Sequence, residues 1–281
     1  MTSVVLGAAF MVRELRTDEP MLNLSYFSNP RFSVASMGIA LASFCLFGGI
    51  FALTQFLQDP RGYSAVRAGC AMVPLAFGLV MGAGSSVKLV AKVGTTRVVM
   101  AGLLGFSALL GATLTWSYEM PYWPLGIWIF VLALSMGWVM APSTDSVMGA
   151  VPEEKSGVAS AMNDVTRQVA GALGTAVVGS LISSVYQSRV SSDAAALPEP
   201  ARSAVEDSVG RAHAVAATLP SSEGASIAHA ANVAFTDAMG IGFAVAGVVA
   251  LFAALAVRRW LPPRRAEAMT QQDVAADPIA A

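Results

Sequence analysis

Charge is what this sequence has least of. Of its 281 residues only 12% are Asp, Glu, Lys or Arg, where soluble domains carry about 25%. The formal net charge is −1, so no basic field draws a nucleic acid, and none is expected as a partner. The two histidines, His213 and His229, share one polar stretch without ligand spacing. No metal site and no cofactor are therefore expected. The two cysteines, Cys45 and Cys70, sit inside apolar runs and read as small hydrophobes, not a disulfide or metal pair. HExxH and GxSxG are missing, and no Ser, Thr or Asn of an apolar run stands beside a histidine. This argues against an intramembrane enzyme.

What is present is apolar sequence. Hydrophobic residues make up 55% and the mean hydropathy is +0.62, the range of helical membrane proteins. A crossing helix needs about 20 apolar residues. Six runs qualify: Phe32 to Leu57, Ala68 to Val87, Val98 to Trp116, Pro124 to about Val151, Ser156 to Tyr186, and Met239 to Val257. The second is interrupted by Pro74, and the fourth is expected to break near Pro142 and Asp145. The run Val4 to Val12 is too short to cross and reads as the tail end of a helix begun upstream. Trp116, Tyr118, Tyr122 and Trp123 cluster as an interfacial aromatic belt would.

The expected architecture is an all-α polytopic membrane protein. Residues 1–31 hold the end of a linking helix and a polar connector. Residues 32–186 hold five spans, and 187–235 one long hydrophilic loop. Residues 236–258 form the last span, and 259–281 a polar tail. Within the loop, Val205, Val209, Ala212, Val215 and Leu219 fall at helical spacing. That pattern suits either an amphipathic helix on the membrane surface or a disordered segment.

Polar residues interrupt the fourth and fifth runs. Asp145, Asn163, Asp164, Arg167 and Gln168 lie inside or beside apolar sequence. A charge in the bilayer core costs at least about 2.5–3.5 kcal/mol, so such residues face a wet cavity, a partner or a helix interface. Gly157, Ala161, Asp164, Gln168, Gly171 and Thr175 recur every three or four residues, as one helix face does. Asp164 and Arg167 are three apart and can pair. Two readings stand. One is a packing seam, with Gly157, Gly171 and Gly174 admitting a neighbouring helix and a self-neutralising ion pair. The other is a proton or substrate pathway. Phe44, Phe47, Phe51 and Gln55 similarly form either a core or lipid-facing stripe or the lining of a cavity.

Basic residues set the orientation. One side of the six spans holds Arg13, Arg16, Arg31, Lys88, Lys92, Arg97, Lys155, Arg258, Arg259, Arg264 and Arg265. The other holds Arg61, Arg67, Arg189, Arg202 and Arg211. The first side is expected to be cytoplasmic, with both ends of the chain in the cytoplasm and the spans crossing a cell membrane, a bacterial inner membrane.

Taken together, three segments resemble a known family. FMVRELRTDEPMLNLSYFSNPRFS resembles the connector before the last six helices of the fourteen-helix drug:proton antiporters of the major facilitator superfamily (the EmrB/QacA type). LQDPRGYSAVRAGCAMVPLAFG resembles the loop and helix that follow, and GVASAMNDVTRQVAGALGTAVVGS the penultimate helix. The resemblance implies a six-helix half of such a bundle, working on small lipophilic substrates and protons in contact with membrane lipid. It also implies an N-terminal half as partner, encoded separately if not in the same chain. KLVAKVGTTR resembles the family's cytoplasmic gating loop, carried here by Lys88, Lys92, Gly94 and Arg97, with Lys92 where an acidic partner is often found. The resemblance implies proton-coupled efflux by the parent transporter. The alternative is a truncated, non-transporting membrane fragment that is inert or binds a partner.

The orientation is testable by labelling from outside intact cells. A cysteine replacing Ser192 is expected to react with an impermeant maleimide, and one replacing Ser156 to stay unlabelled. The reverse pattern overturns the assignment.

Overall fold

The computed structural model describes residues 9, 12–13, 30–149, 151 and 155–260. The expected linking-helix end and connector, the turn at 152–154 and the tail beyond 260 lie almost wholly outside the described residues. The chain is all-helical there: α1 Pro30–Gln58, α2 Ala65–Ala71, α3 Val73–Val93, α4 Thr95–Ala112, α5 Tyr122–Met148, α6 Ser156–Ala194, α7 Ala201–Asp207, α8 Val209–Ala216 and α9 Ser221–Trp260. Six helical stretches are long and apolar enough to cross a membrane.

Local chemistry explains the breaks. Ser64 caps α2, its side chain accepting from the Arg67 N–H. Pro74 sits in the first turn of α3, where its missing N–H costs nothing. The expected ten-residue loop between the second and third spans is a single residue. Lys88 and Lys92 belong to α3 and Arg97 to α4, and only Gly94 separates the helices. Its φ is 89°, a conformation open to glycine and costly for a side chain. The expected break at Pro142 is also absent. α5 continues through it to Met148, and Ser146 Oγ donates to the Pro142 carbonyl at 2.8 Å.

Glycine seams lock the spans together. On α3, a Cβ at Gly78 would collide with the Phe130 carbonyl, and one at Gly82 with the Leu134 carbonyl of α5. Gly102 of α4 lies against the Ser135 carbonyl, 2.7 Å from where its Cβ would stand. α1 and α6 meet where Gly174 lies under the Phe44 carbonyl and Gly48 under the Gly174 carbonyl. Gly171 holds the Phe47 ring and Gly179 the Phe51 ring. Without a hydrophobic driving force between helices in lipid, such close backbone approach supplies the van der Waals energy of association. Gly157 takes no part: it stands exposed at the start of α6 with nothing within 4 Å of a built Cβ.

The aromatic belt is only partly a belt. Trp116 packs inward against Phe56 and Trp128, with ring centroids 5.9 and 4.7 Å away. Trp128 stacks on Phe243 and donates its indole N–H to the Leu109 carbonyl at 2.8 Å. Trp123 is left exposed.

The segment 187–235 is helical over most of its length and packs against the bundle. α6 and α9 run through both of its expected boundaries. Their 39 and 40 residues would extend about 60 Å, twice the ~30 Å hydrocarbon thickness. The projecting ends carry α7 and α8, whose Val205, Val209 and Ala212 are buried in the main core. Tyr186 donates its hydroxyl to the Val205 carbonyl at 2.9 Å, and His213 bonds Asn232 at 2.7 Å. One end of the bundle is thus capped by its own chain.

Gly174→Leu is expected to abolish folded yield in detergent, while Gly157→Leu leaves it near wild type. Even one added methyl in a tight seam costs about 1–3 kcal/mol. Equal yields of the two variants would remove the seam from this account.

Candidate functional site

The polar residues of α6 divide between two faces. The buried stripe runs Asn163, Gly171, Gly174, Val178, Ile182 and Tyr186. Arg167, four residues after Asn163, continues the same stripe and is half-buried. Asp164 and Gln168 lie one position further round and are exposed, beside Val165, Val169, Leu173 and Val177. The six small and polar residues expected on one face therefore separate, because the seam with α1 is centred between Asn163 and Gly171, not on Asp164.

The expected Asp164–Arg167 ion pair does not form. Ion pairs among the described residues are Arg189–Asp237 at 2.6 Å, Arg202–Glu206 at 2.9 Å and Arg211–Asp207 at 3.0 Å, all towards the capped end. Asn163 is 7% exposed, yet its Oδ1 has no hydrogen-bond partner, nor has Arg167 Nε. Ser43 on α1, with Ser143 and Thr144 on α5, also bury hydroxyls without partners. These three helices converge there: Phe32, Ala35 and Ile39 of α1 pack with Val147 of α5 and Met162 of α6. Ser143 Oγ lies 3.6 Å from where a Cβ on Gly38 would stand. A buried polar group without a partner costs about 1–3 kcal/mol. Several on three adjoining helices make a place able to hydrogen-bond water, a substrate or another protein segment. Ser43, Ser143 and Thr144 were missed in the sequence because isolated hydroxyls in apolar helices normally bond back to their own backbone, as Ser135 and Ser146 do here.

Asp145, near the end of α5, is exposed and stands away from this buried set. Lys88, Lys92 and Arg97 are exposed around the buried Gly94.

The aromatic residues do not form one lining. Phe44 and Phe47 are spent on the α6 glycines. Phe51 and Gln55 instead reach a cavity of about 370 Å³ at the capped end, with Asp59, Tyr186, Phe235 and Gly210 among its other walls. Burial pushes the Asp59 carboxyl above the usual carboxylate range, and the nearby His213 pulls it back.

Comparison with known proteins now places the chain. Residues 6–175 match the model of the Major Facilitator Superfamily, and the chain belongs to that family of membrane transport proteins. It is 31% identical over 275 residues to the tetracenomycin C resistance and export protein of Streptomyces glaucescens, covering 94% of this chain and 51% of that one. To the multidrug efflux pump LfrA of Mycolicibacterium smegmatis it is 29% identical, covering 90% and 50%. To the methyl viologen resistance protein SmvA of Salmonella typhimurium it is 28% identical, covering 95% and 53%. The chain thus spans about half the length of these relatives. Among solved structures, a bacterial homologue of the human lysosomal transporter Spinster matches with a TM-score of 0.58 at 16% identity, over 84% of this chain and 50% of that one. The likeness to that structure concerns the fold alone. Family and relatives point to transport and not to enzyme catalysis.

Removing an unpartnered polar group is expected to stabilise the chain. Asn163→Leu should raise its unfolding free energy in detergent by about 1 kcal/mol, read as a higher midpoint of thermal unfolding. A lowered midpoint would mean that Asn163 has a bonding partner essential to the fold.

Proposed function

We propose that this chain is the C-terminal six-helix half of a proton-coupled, fourteen-helix efflux transporter that exports drugs or other small lipophilic molecules. In this reading it works only against an N-terminal half, in a cell membrane with both ends of the chain in the cytoplasm. The observation that carries the reading is uneven burial. Of the apolar stretch in each span, 50% is buried in α1, α5 and α9, but only 22% in α2–α3 and 28% in α6. The least covered helices carry rows of exposed apolar residues: Phe77, Val80 and Met81 on α3, and Val165, Val169, Leu173 and Val177 on α6. Relatives named for export and resistance, each about twice as long, support a second body of similar size against those faces.

Transporters of this architecture bind substrate near the midplane between halves that rock against each other. Asp164 and Gln168 stand on the exposed face of α6, where a partner half would meet them. Arg167 keeps its charge in essentially any protein environment. It can therefore act as a fixed cation that holds a carboxylate and lets it go. A carboxylate stripped of its cation in low dielectric takes up a proton more readily, which couples proton movement to rearrangement. Because Asp164 does not pair with Arg167 in this arrangement, the exchange involves either a turn of these side chains or an acidic group of the other half. Lys88, Lys92, Gly94 and Arg97 form the cytoplasmic gate in this proposal, with Gly94 as its sharp turn. Asn163 and the unpartnered hydroxyls supply polar contacts along the path.

The test is proton-driven efflux of a lipophilic dye from cells. The chain co-expressed with the N-terminal half of the Streptomyces tetracenomycin exporter is expected to transport, and the chain alone is not. Asp164→Asn and Arg167→Ala should each lower efflux at least about tenfold while the protein inserts at normal levels. Normal transport by both variants would make the pair structural, and a co-expressed pair that never transports supports the inert-fragment alternative.

A further inference from the structure

The cap made by α7 and α8 covers a chamber, and the chamber has a definite chemistry. The cavity of about 370 Å³ draws on five helices: Phe51 and Gln55 from α1, Tyr186 from α6, Asp207 from α7, Gly210 from α8 and Phe235 from α9, with Asp59 just past α1. Two carboxylates line it, Asp59 and Asp207, and none of its lining residues is basic. They are not equivalent. Asp207 is held by Arg211 at 3.0 Å. Asp59 is in no ion pair among the described residues. The group that acts on it electrostatically is His213, whose Nε2 is already engaged by Asn232 at 2.7 Å. An uncommitted carboxylate beside aromatic side chains is the arrangement that recognises an organic cation: the carboxylate supplies charge, and ring faces supply cation–π attraction and apolar cover.

We propose that this capped chamber is a binding site for an amphipathic organic monocation, with Asp59 as its counter-ion and Phe51, Tyr186 and Phe235 as its apolar walls. The site is separate from the polar set around Asn163 and Arg167, which lies at the other end of α6. α8 forms one wall of it, bringing Gly210 to where a Cβ would lie 3.5 Å from the Asp59 carboxylate. The proposal rests on the efflux reading only for what the occupant is doing there, since every wall belongs to this chain and binding needs no second half.

The test uses the whole chain purified in lipid nanodiscs, with tetraphenylphosphonium as probe and tetraphenylborate as a matched anion of the same shape. Wild type is expected to bind the cation and not the anion. Asp59→Asn should weaken cation binding about tenfold or more, Asp59→Glu should retain it, and Gly210→Leu should lower it by filling the chamber without changing charge. Equal binding of the cation by wild type and Asp59→Asn, equal binding of both ions by wild type, or no binding of the cation at all would each overturn the proposal. If Asp59→Asn fails to fold, the preference between the two ions in wild type decides. Intact binding beside failed efflux of the co-expressed pair would strike the transport reading and leave this one standing.

Discussion

Backbone touches backbone in this bundle, and the rest of the structure follows from where it does. In lipid, burying one apolar surface against another gains little, because the surrounding tails are equally apolar. Cohesion has to come from close packing. Here the carbonyls of Phe44, Phe130, Leu134 and Ser135 lie over glycines of neighbouring helices, where any side chain would hold the axes apart. These contacts join α1 to α6, α3 to α5 and α4 to α5. A further approach brings Gly247 of α9 to α4, where Ser107 donates to the Gly247 carbonyl at 2.7 Å. Once the seams are fixed, so is the rotation of each helix, and with it which side chains face inward.

That rotation decides the fate of the polar residues. On α6, the turn that puts Gly171 and Gly174 under α1 also carries Asn163 and Arg167 inward and leaves Asp164 and Gln168 outside. The inward pair meets α1 and α5 in a region with several unsatisfied hydroxyls. The outward pair interrupts an apolar row that covers nothing in this chain. At the opposite end polar groups are well matched. Tyr118 and His229 lie 2.7 Å apart, His213 bonds Asn232 and Arg189 bonds Asp237. The capped end is a folded assembly in which, among the described residues, Asp59 is left without an ion pair and Arg61 Nη1 without a partner, and the other end presents several buried groups that still have bonds to make.

The six spans were legible because length and hydropathy determine them almost alone. Family membership was legible too, from segments distinctive in combination. The cap was not. It is rich in Ala and Ser, and although Val205, Val209 and Ala212 fall at helical spacing, their burial comes from tertiary packing on projecting helix ends, which that spacing does not record. The Asp164–Arg167 pair failed because a spacing of three permits contact without requiring it, and the seam takes the arginine away. Gly78 and Gly82 stand four apart, a plain small-residue motif that was available in the sequence and was passed over for the polar positions of α6. Phe51 and Gln55 border the cavity at the capped end, yet Phe51 also lays its ring over Gly179 as Phe47 does over Gly171, and Phe44 meets Gly174 through its backbone carbonyl. Spacing gave the face, and only the neighbours opposite each residue distinguish these roles.

The central claim is that the outer faces of α3 and α6 are built to be covered by a second six-helix body. Spin labels at Val169, Leu173 and Phe77 measure this directly, through collision with oxygen dissolved in the bilayer. The account predicts high oxygen accessibility for the chain alone. It predicts a marked loss at all three sites when the N-terminal half of the tetracenomycin exporter is present, with a label at Phe252 on the outer side of α9 unchanged. Accessibility that stays high at all three sites in the presence of that half, with the two polypeptides shown to associate, would contradict it.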